Sequence, residues 1–226
     1  MPRTAPLIEV GDADLEDLRA RLRATRWAEP WPVDGWQAGT DAAELRRLVT
    51  YWATDYAWRT HEAAVNALPS HFADIDGTPV HYLRYDAERP DALPIVLTHG
   101  RPSTVLELTA LAERLAAPSR HGRDTRDAFT VIVPSLPGFP FSPQRPTLGG
   151  TEQTHDLWHR LMHDHLGFRR YAAYGGDLGA GVTSRLAEAH PESVVGIHLL
   201  AAAAPAEPDP ASLTPEEESH LASATA

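Results

Sequence analysis

Three features of this sequence predict an α/β fold, with a mostly parallel sheet flanked by helices behind an N-terminal helical extension. From His71 onward, short runs of strand character alternate with segments of helical period. Two of these runs, residues 94–98 and 129–133, are apolar without alternation, the pattern of strands covered on both faces. Between a further strand pattern and a helix pattern lies Tyr174-Gly175-Gly176-Asp177-Leu178-Gly179-Ala180, a turn with glycines around a central acid.

The elements follow in chain order. Residues 12–26 carry Leu15, Leu18 and Leu22 on one stripe, with Asp12 or Asp14 as the cap. After a Trp- and Pro-rich segment, a second helical pattern runs from Thr40 or Asp41 through Leu45, Leu48, Tyr51 and Trp52 to about Leu68, and Pro69 closes it. Residues 1–70 thus form the helical extension, and Trp27, Trp31, Trp36, Trp52 and Trp58 are expected to pack between it and the body. At His71 the period changes. Residues 71–75, a turn at Asp76-Gly77 and residues 80–85 predict an antiparallel hairpin. Strand 94–98 ends in His99-Gly100-Arg101-Pro102 and leads to a helix ending near Ala116. Strand 129–133 ends in Pro134-Ser135-Leu136-Pro137-Gly138, and a loop rich in proline and glycine continues to Gly150. Residues 151–166 read as a helix, 171–174 as the strand before the turn, 182–189 as the helix continuing after it, and 194–200 as one more strand. Residues 71–204 are therefore the core. Beyond Ala204 the composition shifts to Pro-Ala-Glu-Pro-Asp-Pro and then Thr214-Pro215-Glu216-Glu217-Glu218, so residues 205–226 read as a linker and a capped helix start.

With 226 residues the chain is long enough for one well-filled core. It has no cysteine, which excludes disulfides, zinc-thiolate sites and a thiol nucleophile. A net charge of −11, with no run of cations, argues against tracking a nucleic-acid backbone. The N-terminus lacks the charged and apolar regions of a secretory signal, and no apolar run reaches membrane-spanning length. The expectation is a cytoplasmic protein acting on a small molecule, with neither nucleic acid nor membrane as partner.

The turn at Asp177 carries the chemistry. A strand-to-helix turn of this kind exposes its central residue on a strained backbone, and glycines surround it where the helix packs too close for a Cβ. A carboxylate in that place, where a serine would perform acyl transfer, points to attack on an sp3 carbon and an alkyl ester that water later cleaves. His99 reads as a loop histidine bonded to backbone. His155, His159 and His163 share one helix face, opposite Leu157, Trp158, Leu161 and Met162, and are expected to be mostly solvated rather than to hold a metal.

The loops His99-Gly100-Arg101-Pro102 and Pro134-Ser135-Leu136-Pro137-Gly138-Phe139, with the Asp177 elbow, resemble the epoxide hydrolases of the α/β-hydrolase superfamily. The branch resembled is the microsomal type with an N-terminal epoxide hydrolase domain. Arg21-Leu22-Arg23-Ala24-Thr25-Arg26-Trp27, Tyr51-Trp52, Trp58-Arg59 and Leu68-Pro69 extend the resemblance through the first third. It implies an incomplete α/β-hydrolase core that converts a small apolar epoxide and water to a vicinal diol, without cofactor or metal. Asp177 matches the nucleophile, and the backbone N–H groups of Arg101 and Leu178 match the donors of the oxyanion hole. His99, Gly100, Pro102, Gly175, Gly176 and Gly179 would shape the site, His99 by orienting its loop.

Arg101 and Leu178 stand where the family usually has tryptophan, and Pro140 where it has glycine. An arginine at 101 could pair with the Asp177 carboxylate. The family's cap tyrosines, its general-base histidine and that histidine's acidic partner have no match here. The resemblance thus implies a C-terminally truncated chain ending in the opening segment of the cap, with an incomplete catalytic set. Two alternatives stand beside it, a non-catalytic remnant and a haloalkane-dehalogenase-like hydrolase. With its neighbours missing, strand 194–200 would be an open, apolar edge through which the chain self-associates.

Overall fold

The computed structural model describes residues 6–75, 77–144, 153–200 and 213–217, and the chain divides into two compact units, Met1–His71 and Phe72–Ala226.

The first unit holds three helices, α1 (Asp12–Arg23), α2 (Ala42–Thr54) and α3 (Trp58–Asn66). Helix α1 is shorter than its leucine pattern suggests. Carbonyls of its last turns are taken by the Ala24 N–H, the Thr25 N–H and the Thr25 hydroxyl, which ends the helix. Gly11 occupies the cap position without a side-chain bond, and Asp12 and Asp14 instead place charge in the first turn, where the helix dipole favours it. Asp41 does cap α2, accepting from the Glu44 N–H at 2.8 Å. The helix predicted to reach Leu68 is broken in two. The Asp55 and Tyr56 N–H groups both donate to the Tyr51 carbonyl, ending α2, and α3 starts afresh at Trp58. Glu62 is almost buried and accepts from the Val10 N–H, the Arg59 guanidinium and the Trp58 indole; Asn66 bonds the backbone of Leu7 and Ile8. These two polar side chains of α3 strap down residues 7–10. Trp31 and Trp36, expected to pack, are 75% and 63% exposed; they lie in an irregular stretch with no helical face to turn inward.

The second unit is built on a six-stranded mixed sheet: β1 (Ser70–Ile75), β2 (Thr78–Tyr85), β3 (Leu93–Thr98), β4 (Phe129–Pro134), β5 (Tyr171–Gly176) and β6 (Val194–Leu200), in the order β1-β2-β4-β3-β5-β6. Strand β2 pairs antiparallel with β4, while β4, β3, β5 and β6 run parallel. The predicted hairpin is the antiparallel edge of this sheet. Of its turn, Asp76 lies outside the described residues, and Gly77 has φ 80° with its N–H donating to Asp74 Oδ1. Val96, Leu97, Val131, Ile132 and Val133 are fully buried, each worth about 1.5–3 kcal/mol relative to exposure.

Helices α4 (Thr109–Ala116), α5 (Thr154–His159) and α6 (Leu178–Ala189) connect the strands. A 3-10 turn, Val105–Leu108, capped by the Thr104 hydroxyl, leads into α4. The helix expected over 151–166 is α5 followed by a π turn, Arg160–His165, in which the Leu166 N–H reaches back to the Leu161 carbonyl; residues 151 and 152 lie outside the described residues. Leu157, Trp158, Leu161 and Met162 face the core as expected, and Trp158 Nε1 donates to Thr98 Oγ1 at 3.2 Å, so its buried donor is satisfied. The histidines opposite them are not uniformly solvated, for His155, His159 and His163 are partly buried.

Of residues 205–226, only 213–217 are described. There the capping box appears as predicted: the Glu217 N–H donates to Thr214 Oγ1, and Glu217 Oε2 accepts from the Thr214 N–H. Strand β6 closes the sheet order, with Val195, Ile197 and Leu200 between 41% and 50% exposed. We expect concentration-dependent association through this edge strand. Ile197→Lys should shift the size-exclusion profile toward monomer, and a concentration-independent monomer of the unaltered chain would refute the expectation.

Candidate active site

The sheet order brings three loops together. From β3 the chain moves to β4 on one side, and β5 then lies on the other, so the carboxyl ends of β3 and β5 diverge around a crevice. Thr98 pairs with Gly175, which sets the loop that begins at His99 beside the turn that carries Asp177.

Asp177 has φ 52° and ψ −123°, a left-handed conformation that is strained for a residue with a Cβ. The surrounding glycines explain how the turn fits. A Cβ on Gly175 would overlap the Gly179 carbonyl, and one on Gly179 would overlap the Thr98 carbonyl. On Gly100 it would lie 2.8 Å from the Asp177 Cβ. Gly176 differs from the sequence-based reading, since a Cβ there would meet the Leu200 side chain at an ordinary 3.6 Å. Three of the four glycines are thus sterically required, and Gly176 is not.

The Arg101 N–H donates to Asp177 Oδ1 at 2.7 Å, and the Leu178 N–H also bonds the carboxylate. These two backbone donors, opposed by desolvation and helped by the positive charge of the Arg101 side chain, hold the Asp177 carboxyl below its ordinary 3.8. The Arg101 side chain makes no ion pair with Asp177; its effect is through space. Pro102 follows across a cis peptide and lines the crevice.

His99 is buried behind this loop. Its Nε2 faces the Leu136 N–H at 3.1 Å, so Nε2 accepts and the proton sits on Nδ1, which donates to the Gly100 carbonyl at 2.9 Å. Both nitrogens are occupied, and the ring ties the loop after β3 to the loop after β4. Burial lowers the His99 pKa from 6.5, against the opposing Gly100 bond and Glu107 charge. The unfolded chain protonates this imidazole near pH 6.5, the folded chain only at lower pH, so the stability contributed is complete above that value and is lost as pH falls below it. In His99→Asn, which keeps a donor and an acceptor, the fall in the urea midpoint between about pH 7 and 5.5 should be shallower than in the unaltered chain. Equal falls in both would rule out this role.

The crevice has a volume of about 520 Å³. Its walls include Glu107, Leu108, Leu111, Tyr174 and Leu200, none of which was singled out from sequence. Glu107 accepts from the Gly100 N–H at 3.2 Å and so braces the loop that carries the Arg101 donor. No local sequence pattern marks that role. Among the described residues lining the crevice, Tyr174 is the one phenol and no histidine is present. Asp177 lines the crevice with its Oδ1 held by the Arg101 N–H, and backbone donors beside the carboxylate can hold a negatively charged oxygen.

This geometry agrees with sequence relationships. The family model described as alpha/beta hydrolase fold matches residues 93–224, and that described as epoxide hydrolase N terminus matches residues 4–108. The chain belongs to the α/β-hydrolase fold family, in its epoxide hydrolase branch. A candidate epoxide hydrolase of Stigmatella aurantiaca is 43% identical over 97% of this chain and 50% of that protein. Juvenile hormone epoxide hydrolase 2 of Ctenocephalides felis is 32% identical over 84% of this chain and 41% of its own length. The solved structure of Aspergillus niger epoxide hydrolase superposes with a TM-score of 0.71 at 29% identity, covering 96% of this chain and 58% of that one. The chain spans about half the length of the curated relatives it matches. No helix among the described residues is long and apolar enough to cross a membrane.

Proposed function

We propose that this chain opens small apolar epoxides through an ester formed on Asp177, the first half of epoxide hydrolysis to a vicinal diol. The observation that carries the reading is the Arg101 N–H bond to Oδ1 of an Asp177 carboxylate that lines the crevice, with Oδ2 as the oxygen that would attack a ring carbon. In that step the Oδ2–carbon bond forms, the ring C–O bond breaks, and the epoxide oxygen leaves with the electron pair and takes up a proton from solvent water. Oδ1 then becomes the ester carbonyl oxygen. When water adds to that carbonyl, charge gathers on Oδ1, where the Arg101 N–H already points and the Leu178 N–H lies beside the carboxyl.

His99 supplies no base in this scheme, because both its nitrogens are bonded within the fold. Among the described residues lining the crevice none is a histidine, so the water of the second step meets no imidazole base there. The ester should therefore accumulate on the 226-residue chain. Exposure to a small apolar epoxide followed by intact-mass and peptide mass spectrometry is expected to show one added substrate mass on Asp177. Diol release from 18O water without accumulation would show a complete reaction and overturn the half-reaction reading. Neither adduct nor diol would favour a non-catalytic chain.

A further inference from the structure

At the far end of β5 from the elbow, a group of histidines gathers that the proposed chemistry does not use. Tyr171, the first residue of β5, is fully buried, and its hydroxyl bonds His159 Nδ1 at 3.0 Å. The His159 ring stacks on His190, which follows α6, with centroids 3.7 Å apart and planes 5° from parallel. The His163 ring also stacks with His159, at 5.0 Å, and His190 Nε2 bonds Asp156 Oδ1 at 3.1 Å. Ligand atoms of His159, His190 and exposed Glu192 all lie within 4.8 Å of one another. A six-residue strand is roughly 17 Å long, so this cluster is separate from the Asp177 crevice.

We propose that His159, His190 and Glu192 form a binding site for a divalent transition-metal ion of the zinc type. Two imidazoles and one carboxylate are a donor set for Zn2+, Co2+ or Ni2+ and a poor one for Mg2+ or Ca2+, which take oxygen ligands. Each histidine has one ring nitrogen engaged by an oxygen partner, Tyr171 for His159 and Asp156 for His190, which leaves the other nitrogen as the donor. Oxygen partners of this kind set the tautomer of metal-bound histidines. Ligand atoms about a tetrahedral zinc stand roughly 3.3 Å apart. Closing to that separation takes turning the two partly buried imidazoles out of their parallel stack and swinging in exposed Glu192. Water would fill the fourth position. The ion would join the C-terminal end of α6 to the end of α5 and the π turn that follows it, so its effect is on stability.

The whole 226-residue chain, freed of metal, is titrated with Co2+ alone, watching the visible d–d bands, and with Zn2+ alone, watching thermal unfolding. Expected are one ion per chain, tetrahedral cobalt bands and a rise in the midpoint with Zn2+ but not Mg2+. His190→Asn should weaken binding at least tenfold and Glu192→Gln by less, while His155→Ala, whose residue lies outside the ligand set, should bind as the unaltered chain does. Circular dichroism of each metal-free variant verifies the fold. No cobalt bands, or binding kept in a folded His159→Gln/His190→Asn double variant, would overturn the proposal.

Discussion

Asp177→Asn leaves the chain unlabelled by epoxide, with the rate of adduct formation down by roughly four orders of magnitude or more, the scale of loss when a nucleophile acting within a preorganised site is removed. The substitution isolates the chemistry from the fold. Asparagine tolerates positive φ better than most residues, so the strained φ of 52° is preserved. Its amide oxygen can still accept from the Arg101 and Leu178 N–H groups. What disappears is the anionic oxygen aimed at the ring carbon. Intact-mass spectrometry over time measures the rate, and a thermal melt close to that of the unaltered chain excludes misfolding as the cause. Labelling of the variant at an undiminished rate would place the nucleophile elsewhere. The same donors give the reaction its pH dependence. With the Asp177 pKa below 3.8, the carboxylate stays ionised through the neutral and mildly acidic range, so adduct formation should show no acid limb above about pH 4.

Gly179→Ala disrupts both the fold and the site, whereas Gly181→Ala, two residues further along the same helix, does not. A Cβ on Gly179 would overlap the Thr98 carbonyl and sit 2.8 Å from the His99 carbonyl, and both are backbone atoms at the end of β3. Neither can swing aside, so α6 and β3 must separate, at a cost of about 1–3 kcal/mol or more for overpacking. Any such shift moves the His99–Arg101 loop and lengthens the 2.7 Å bond from Arg101 to Asp177. A Cβ on Gly181 meets nothing within 4 Å, and alanine gains about 1 kcal/mol of helix propensity there. Urea midpoints of the two variants should therefore move in opposite directions, and only Gly179→Ala should lose adduct formation. Parallel shifts would refute the steric account.

The sheet was legible because strands covered on both faces must be apolar throughout, and residues 94–98 and 129–133 are. The elbow was legible because only glycine permits its close approaches, although Gly176 shows that a glycine in such a turn need not be one of them. The break at Asp55 within the long helical pattern was not legible, since apolar period continues across a change in helix direction. Nor was the role of Glu107, because a carboxylate in a helical turn gives no sign of which loop it braces.

By itself, the sequence determined the kind of fold, its family and the acid at the turn, because those are written in short-range pattern: burial period, glycine spacing and the residue between them. Only the tertiary structure decided that the Arg101 N–H meets Asp177 across 76 residues of chain, that both nitrogens of His99 are consumed, and that His190 stacks on His159. Those contacts depend on strand order and on where each loop leaves the sheet. No local pattern encodes a distance between residues whose only link is the packing of everything between them.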